Sequence, residues 1–129
     1  MIVVLVALAG GLGAVARFVL DGIIRSRVRV AFPVGTVVIN VTGSLLLGLL
    51  VGLGLRTVLP EPLPLVLGAG FLGGYTTFST ASFETVGLVR AGRVRAALVY
   101  GLGTLVATLA AAGLGLVLGL GLPAGGPGG

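Results

Sequence analysis

The stretch from Phe71 to Glu84 reads FLGGYTTFSTASFE and concentrates glycines, hydroxyl groups and aromatic rings inside an otherwise apolar sequence. Gly73 and Gly74 are followed closely by two β-branched residues, Thr76 and Thr77, and this order disfavours a helix interior. We therefore predict a helix that is broken at membrane depth. Such backbone survives in a bilayer only where protein or a polar cavity surrounds it, because unsatisfied N–H and C=O groups in hydrocarbon are costly. The break therefore indicates a functional site.

The composition of the whole chain is that of a membrane protein. Of the 129 residues, 57% are hydrophobic and 9% are charged, which is too few charges to cover a soluble domain. Cysteine and histidine are absent, which excludes disulfides, thiolate nucleophiles and imidazole chemistry. No serine or threonine has a visible base partner, so we do not expect an enzyme. The arginines fall in loop clusters, a pattern that does not suggest nucleic-acid binding.

Four transmembrane helices are predicted within a single all-α domain, residues 1–122, because roughly 20 apolar residues cross a bilayer. No basic residue precedes the first apolar stretch, so we expect a retained helix and not a cleaved signal peptide. The Pro/Gly-rich tail, 123–129, is predicted to be disordered. The predicted spans are residues 1–24, 30–55, the broken third span 65–83, and 96 to about 122.

The first predicted span carries small and charged residues on one face. Ala9, Gly13, Arg17 and Asp21 lie four residues apart. One interpretation is a close-packing stripe that ends in a local salt bridge near the membrane edge. The other is that Arg17 faces an aqueous vestibule and attracts anions. Spacing alone leaves both interpretations open.

The second and last spans also present polar groups at helical spacing. Asn40 is the only side-chain amide in the protein, and it either holds helices together or offers its NH₂ group to a passing ion. Tyr100, Thr104 and Thr108 recur four residues apart, so one face carries three hydroxyls. Each of these hydroxyls either bonds to a backbone carbonyl one turn earlier or lines the path of an ion.

The arginine distribution predicts the orientation of the chain. Six of the eight arginines lie in the turns after the first and third spans, whereas Arg56 alone marks the opposite loop. The positive-inside rule places the two basic turns in the cytoplasm and both termini outside. The six residues are Arg25, Arg27, Arg29, Arg90, Arg93 and Arg95.

The polar groups inside the predicted spans suit an anion. Hydroxyls, the amide NH₂ and ring edges all present positive charge density, and no carboxylate lies in the central stretch. A small, strongly hydrated anion is favoured, because convergent donors replace its water shell without a central cation that would hold it too tightly. A proton-coupled multidrug exporter would need a carboxylate midway along the first span, and none is there. Carbonyls at the break, those of Gly73 and Thr76, are also placed to bind a cation such as sodium.

Three motifs resemble those of the CrcB/Fluc family of fluoride channels, and the resemblance covers nearly all of residues 1–120. They are GGLGAVARF at residues 10–18, GTVVINVTGS at 35–44 and GGYTTFST at 73–80. The resemblance implies a four-helix subunit of an antiparallel dimer in the cell (inner) membrane. It also implies two narrow pores for passive fluoride export, which lowers cytoplasmic fluoride and its toxicity, and a central structural sodium ion held by backbone carbonyls.

The resemblance assigns roles to individual residues. Sodium contact falls to the carbonyls of Gly73 and Thr76. Glu84 matches a family glutamate near the pore end, and we place Arg17 at the vestibule. The fluoride pore is assigned to Asn40, Phe78, Ser79, Thr80, Tyr100, Thr104 and Thr108.

Two features of the sequence argue against a symmetric homodimer with two equal pores. Ala81 stands where the family usually has a second phenylalanine, and Phe83 lies two residues on, roughly 200° around a helix axis. An antiparallel homodimer requires insertion in both orientations, whereas the arginine bias favours one. We therefore favour pairing with a related, oppositely oriented subunit over a homodimer. The alternative function is a non-conducting or half-active structural subunit of a heterodimeric fluoride channel.

Overall fold

The computed structural model describes residues 1–121, so the predicted disordered tail, 123–129, lies outside the described residues. Within 1–121 every regular element is helical, which confirms the all-α class. Three helices are long and apolar enough to cross a membrane: Ile2–Arg27, Val34–Leu55 and Val94–Gly121. The elements are α1 (Ile2–Arg27), α2 (Val34–Leu55), α3 (Leu63–Leu65), a π-helix (Val66–Leu72), α4 (Gly73–Tyr75), α5 (Phe78–Arg90) and α6 (Val94–Gly121).

The basic turns are set by one proline and one glycine. Helix α2 begins at Val34, four residues later than predicted, because Pro33 caps it with non-helical backbone (φ −78°, ψ 69°) and restricts the residue before it. Between α5 and α6, Gly92 adopts φ 74°, which favours glycine. The N–H of Arg93 then bonds to the carbonyl of Leu88 at 2.9 Å, so α5 ends and α6 turns back.

Helices α2 and α6 pack backbone against backbone through glycines. A Cβ atom added to Gly48 would collide with the carbonyl oxygen of Ala112, and one added to Gly115 would collide with that of Leu45. Such close approach of small residues is a main source of helix association in lipid, where water does not drive packing. Gly48 and Gly52 of α2 therefore face α6.

Helix α1 packs in the same way against the π-helix and α4. A Cβ on Gly13 would meet the carbonyl of Phe71, and one on Gly74 would meet the carbonyl of Gly10. Ala9 and Gly13 are both buried in this contact. The packing interpretation therefore holds for the first half of the α1 stripe.

The irregular backbone lies at Thr76 and Thr77 and not at the glycines. Gly73 and Gly74 are helical, whereas Thr76 (φ −79°, ψ 158°) and Thr77 (φ −148°, ψ 119°) are extended. Within the predicted stretch, Gly73 and Gly74 remain helical, and Gly74 lets α1 approach closely. The β-branched pair then leaves the helical conformation.

Two buried clusters lie on either side of this extended pair. Tyr75 packs with Ile39 and Leu72 before it, and Tyr100 packs with Leu88 and Ala97 after it. Large apolar side chains elsewhere on the long helices face outward, as expected for a surface that meets lipid. The break is therefore fixed between two tyrosine-centred cores.

Candidate functional site

Asn40 holds the extended pair in place through its side-chain amide. Its Nδ2 donates to the carbonyl of Thr77 at 2.8 Å, and its Oδ1 accepts the N–H of Thr77 at 2.8 Å. The backbone N–H and C=O groups of Thr77 are thereby both satisfied by a single buried side chain. Asn40 therefore does connect two helical segments. Because Nδ2 carries two hydrogens, one N–H is left over after this contact.

Thr77 starts α5 as its N-cap. The Thr77 hydroxyl oxygen accepts the N–H of Thr80 at 3.2 Å, and its own hydrogen goes to the Thr80 hydroxyl at 3.0 Å. The Ser79 hydroxyl lies 3.3 Å from the same oxygen. Sequence reasoning missed this role, although a threonine immediately before a helix is a standard start signal.

The break changes the partners of several backbone carbonyls. In a continuous helix the N–H of Thr77 would bond to the carbonyl of Gly73, and that of Thr80 to the carbonyl of Thr76. Here these two N–H groups bond to the side chains of Asn40 and Thr77 instead. The carbonyls of Gly73 and Thr76 are thereby released from helical hydrogen bonding.

Arg17 supplies a donor to a third carbonyl at the break. Its Nε lies 3.3 Å from the carbonyl oxygen of Gly74, at the negative end of the helical segment that precedes the break. The local salt bridge expected between Arg17 and Asp21 does not form, because Asp21 pairs with Arg25 at 2.8 Å instead. The vestibule role of Arg17 stays a prediction.

A groove of 310 Å³ lies beside the break, between α2, α5 and α6. Five of the seven predicted pore residues line it. Ser79 and Thr80 are absent from the lining and lie beside the Thr77 cap. The groove also includes Thr85 and Ser44, which the predictions omitted. The five predicted residues are Asn40, Phe78, Tyr100, Thr104 and Thr108.

The three hydroxyls of α6 have different environments. Thr108 Oγ1 donates to the carbonyl of Leu105 at 2.9 Å, so the back-bonding interpretation holds for this residue. Tyr100 donates to Glu84 at 2.7 Å. The Thr104 hydroxyl is buried, and no hydrogen-bond partner reaches it from the described residues. Thr104 lines the groove and carries a hydroxyl that is left without a partner within residues 1–121.

A chain of polar contacts leads from the groove to the basic end of the molecule. Glu84 accepts from Tyr100 through one carboxylate oxygen and binds Arg25 through the other, at 3.0 Å. Arg25 binds Asp21 as well. The pairing of Arg25 with Asp21 was not predicted, although a cation four residues after an acid on a helix is the usual signal for an ion pair.

Ala81 lines the groove where the family pattern has a second aromatic ring. Phe83 does not take its place: it is absent from the groove lining, and 79% of it is exposed. Phe78 lines the groove but is 87% exposed in this single subunit. The groove therefore has one phenylalanine ring at its edge.

Three long apolar helices, of which α2 and α6 line a groove without charged residues, define an integral membrane protein of the all-helical class. The sequence model for the family described as "CrcB-like protein, Camphor Resistance (CrcB)" matches residues 4–116. The chain therefore belongs to the CrcB family, which confirms the resemblance.

Curated relatives match along most of their length. The chain is 58% identical over 119 residues to "Fluoride-specific ion channel FluC 1" of Leifsonia xyli subsp. xyli, covering 92% of this chain and 87% of the relative. It is 52% identical over 119 residues to "Fluoride-specific ion channel FluC 2" of Cutibacterium acnes, covering 88% of this chain and 94% of the relative. A protein of the same name from Moorella thermoacetica is 45% identical over 107 residues, covering 82% of this chain and 87% of the relative.

Proposed function

We propose that this chain is a subunit of a fluoride-selective channel through which fluoride leaves the cell passively, so that cytoplasmic fluoride and its toxicity fall. The observation that carries the proposal is the groove beside the break, whose polar lining is uncharged among the described residues. The names of the relatives support fluoride as the ion.

The groove suits fluoride because its free donors can replace water. The remaining N–H of Asn40 and the free hydroxyl of Thr104 are the donors available to an anion, and the edge of the Phe78 ring adds positive charge density. The hydroxyl hydrogen of Tyr100 is already given to Glu84, so Tyr100 acts as a wall that Glu84 orients. Weak binding by neutral donors also lets the ion leave.

The helical segments on both sides of the break form the third of four membrane spans in this proposal. Residues 63–75 approach from one side and α5 from the other, and they meet at Thr76 and Thr77. The basic turns then lie in the cytoplasm and the termini outside, in accord with the arginine bias. A cysteine-accessibility scan of the termini and the turns tests this arrangement, and labelling of both basic turns from outside the cell would contradict it.

The carbonyls of Gly73 and Thr76 fit a structural sodium ion. Both have lost their helical donors, and hard cations bind carbonyl oxygen at such helix breaks. A second subunit in antiparallel arrangement would supply two more carbonyls. Sodium there would balance the facing carbonyl dipoles. The thermal unfolding midpoint of the purified protein should be higher in sodium than in N-methylglucamine chloride, whereas equal midpoints would contradict the site.

We favour an antiparallel heterodimer with a related subunit over a homodimer. The arginine bias, Ala81 and the numbered names FluC 1 and FluC 2 of the relatives support a paired protein. A non-conducting or half-active structural subunit is the second candidate, because Ala81 leaves the groove with a single phenylalanine ring at its edge. Tags on both termini should be found on one membrane face only. Equal tagging of both faces would favour the homodimer.

Fluoride efflux from liposomes, followed with a fluoride electrode, tests the function directly. We expect efflux from liposomes that contain this chain and a family partner, with chloride efflux much slower. Efflux at full rate from the chain alone would support the homodimer. If the chain adds nothing to the rate of a partner that conducts by itself, the structural-subunit candidate is favoured.

A further inference from the structure

A second cavity, of 300 Å³, lies between the end of α1 and the start of α2. We call it the basic cavity, because Arg25 and Arg29 are the charged residues among those that line it, together with apolar groups such as Val28 and Phe32. It is separate from the groove, with which it shares no lining residue. The proposed conduction path does not use it.

The charges around the basic cavity favour an anion. Arg25 already binds Asp21 and Glu84 through Nε and one terminal nitrogen, which leaves its other terminal nitrogen as a donor. Within residues 1–121, no carboxylate lies at ion-pair distance from Arg29. Among the described residues, the guanidinium of Arg29 therefore has no acidic partner, and that of Arg25 keeps one terminal nitrogen for an anion.

The size and depth of the basic cavity indicate the kind of anion. A volume of 300 Å³ is far larger than a halide ion needs. The cavity lies where two long apolar helices end, which is the level of lipid headgroups. Apolar side chains at its edge, Val28 and Val30, are 40% and 57% exposed and are placed to meet acyl chains. Basic pockets between membrane helices on the cytoplasmic side bind acidic headgroups.

We propose that the basic cavity binds the phosphate of an anionic phospholipid headgroup. Arg29 is the principal donor and Arg25 the second. The proposal stands on the cavity and its charges and does not depend on which ion the groove conducts.

The basic cavity is linked to the groove through two contacts. Arg25 reaches Tyr100 through Glu84. Phe32, which lines the cavity, meets the ring of Tyr100 edge-on with centroids 5.4 Å apart. Because Tyr100 lines the groove, these contacts connect the basic cavity to a groove wall.

The test measures lipid binding to the purified full-length chain. Short-chain phosphatidylglycerol, phosphatidylcholine and inorganic phosphate are titrated separately against detergent-solubilised protein, with bound lipid counted by native mass spectrometry. We expect saturable binding of phosphatidylglycerol and little of the other two. Equal binding of phosphatidylcholine would overturn the proposal, and so would displacement of phosphatidylglycerol by inorganic phosphate at equal concentration, since the site would then be one for free phosphate.

Variants then locate the site. Arg29→Gln should weaken phosphatidylglycerol binding about fivefold or more, in line with the contribution of one arginine to headgroup attraction. Arg29→Lys keeps the charge and should retain most of the binding. Retention there would attribute the loss in Arg29→Gln to the missing charge. Arg27→Gln is the matched control, because Arg27 belongs to the same basic end but does not line the cavity. Equal losses in Arg29→Gln and Arg27→Gln would overturn the site, whatever the fluoride flux.

Discussion

The side-chain amide of Asn40 bonds to both the N–H and the carbonyl of Thr77, each at 2.8 Å. One buried side chain thus takes the place of the helical hydrogen bonds that the extended backbone cannot make. The same contact leaves the carbonyl of Gly73 free and keeps one amide hydrogen available at the groove. Asn40 therefore has a structural role and a candidate ion-binding role at once.

Asn40→Ala should lower both stability and fluoride flux. Removal of the amide leaves two polar groups of Thr77 without partners, which costs about 1–3 kcal/mol for each buried group. The unfolding midpoint in detergent and fluoride efflux from liposomes measure the two effects. Asn40→Asp is informative beside it, because a carboxylate can still accept the Thr77 N–H but brings negative charge to the groove. It should therefore retain more stability than Asn40→Ala and still conduct poorly.

Thr104→Val should reduce flux without loss of stability. The substitution keeps the shape of the side chain, and the hydroxyl that it removes has no partner among the described residues. We expect fluoride efflux to fall about tenfold, which corresponds to about 1.4 kcal/mol in the barrier. Thr108→Val is the comparison, because the Thr108 hydroxyl is already bonded to Leu105. A larger flux defect in Thr108→Val than in Thr104→Val would contradict this assignment.

Phe78→Ile should abolish or greatly slow fluoride flux while the subunit stays folded. The change keeps an apolar side chain at a position that is 87% exposed in the subunit, but it removes the ring edge from the groove. The matched control is Phe83→Ile, since Phe83 is similarly exposed at 79% and does not line the groove. Unchanged efflux in Phe78→Ile would show that the ring takes no part in conduction.

Gly48→Ala should destabilise the subunit, whereas Gly103→Ala should not. A Cβ at Gly48 collides with the carbonyl of Ala112 on α6, and overpacking of this kind costs about 1–3 kcal/mol. Gly103 has no atom within 4 Å of an added Cβ, so alanine there should stabilise the helix by up to about 1 kcal/mol. Thermal unfolding of the two variants side by side checks the α2–α6 contact. Equal midpoints would contradict it.

Local pattern was enough to predict the long helices and their packing faces. Span length and hydropathy depend on consecutive residues, so α1, α2 and α6 were predicted to within a few residues, and only Pro33 delayed the start of α2. The spacing of small residues also offered one face of α1 for close packing, and Ala9 and Gly13 on that face are buried. The family was predicted from short motifs for the same reason: each motif is contiguous in sequence.

The contacts that form the site required the tertiary structure. Asn40 and Thr77 are 37 residues apart, and Arg25 and Glu84 are 59 apart, so no local spacing could pair them. Helix packing decides which donor reaches which carbonyl. It therefore also decided that the FLGGYTTFSTASFE stretch leaves the helical conformation at its threonines and not at its glycines, because Gly74 is needed for the approach of α1.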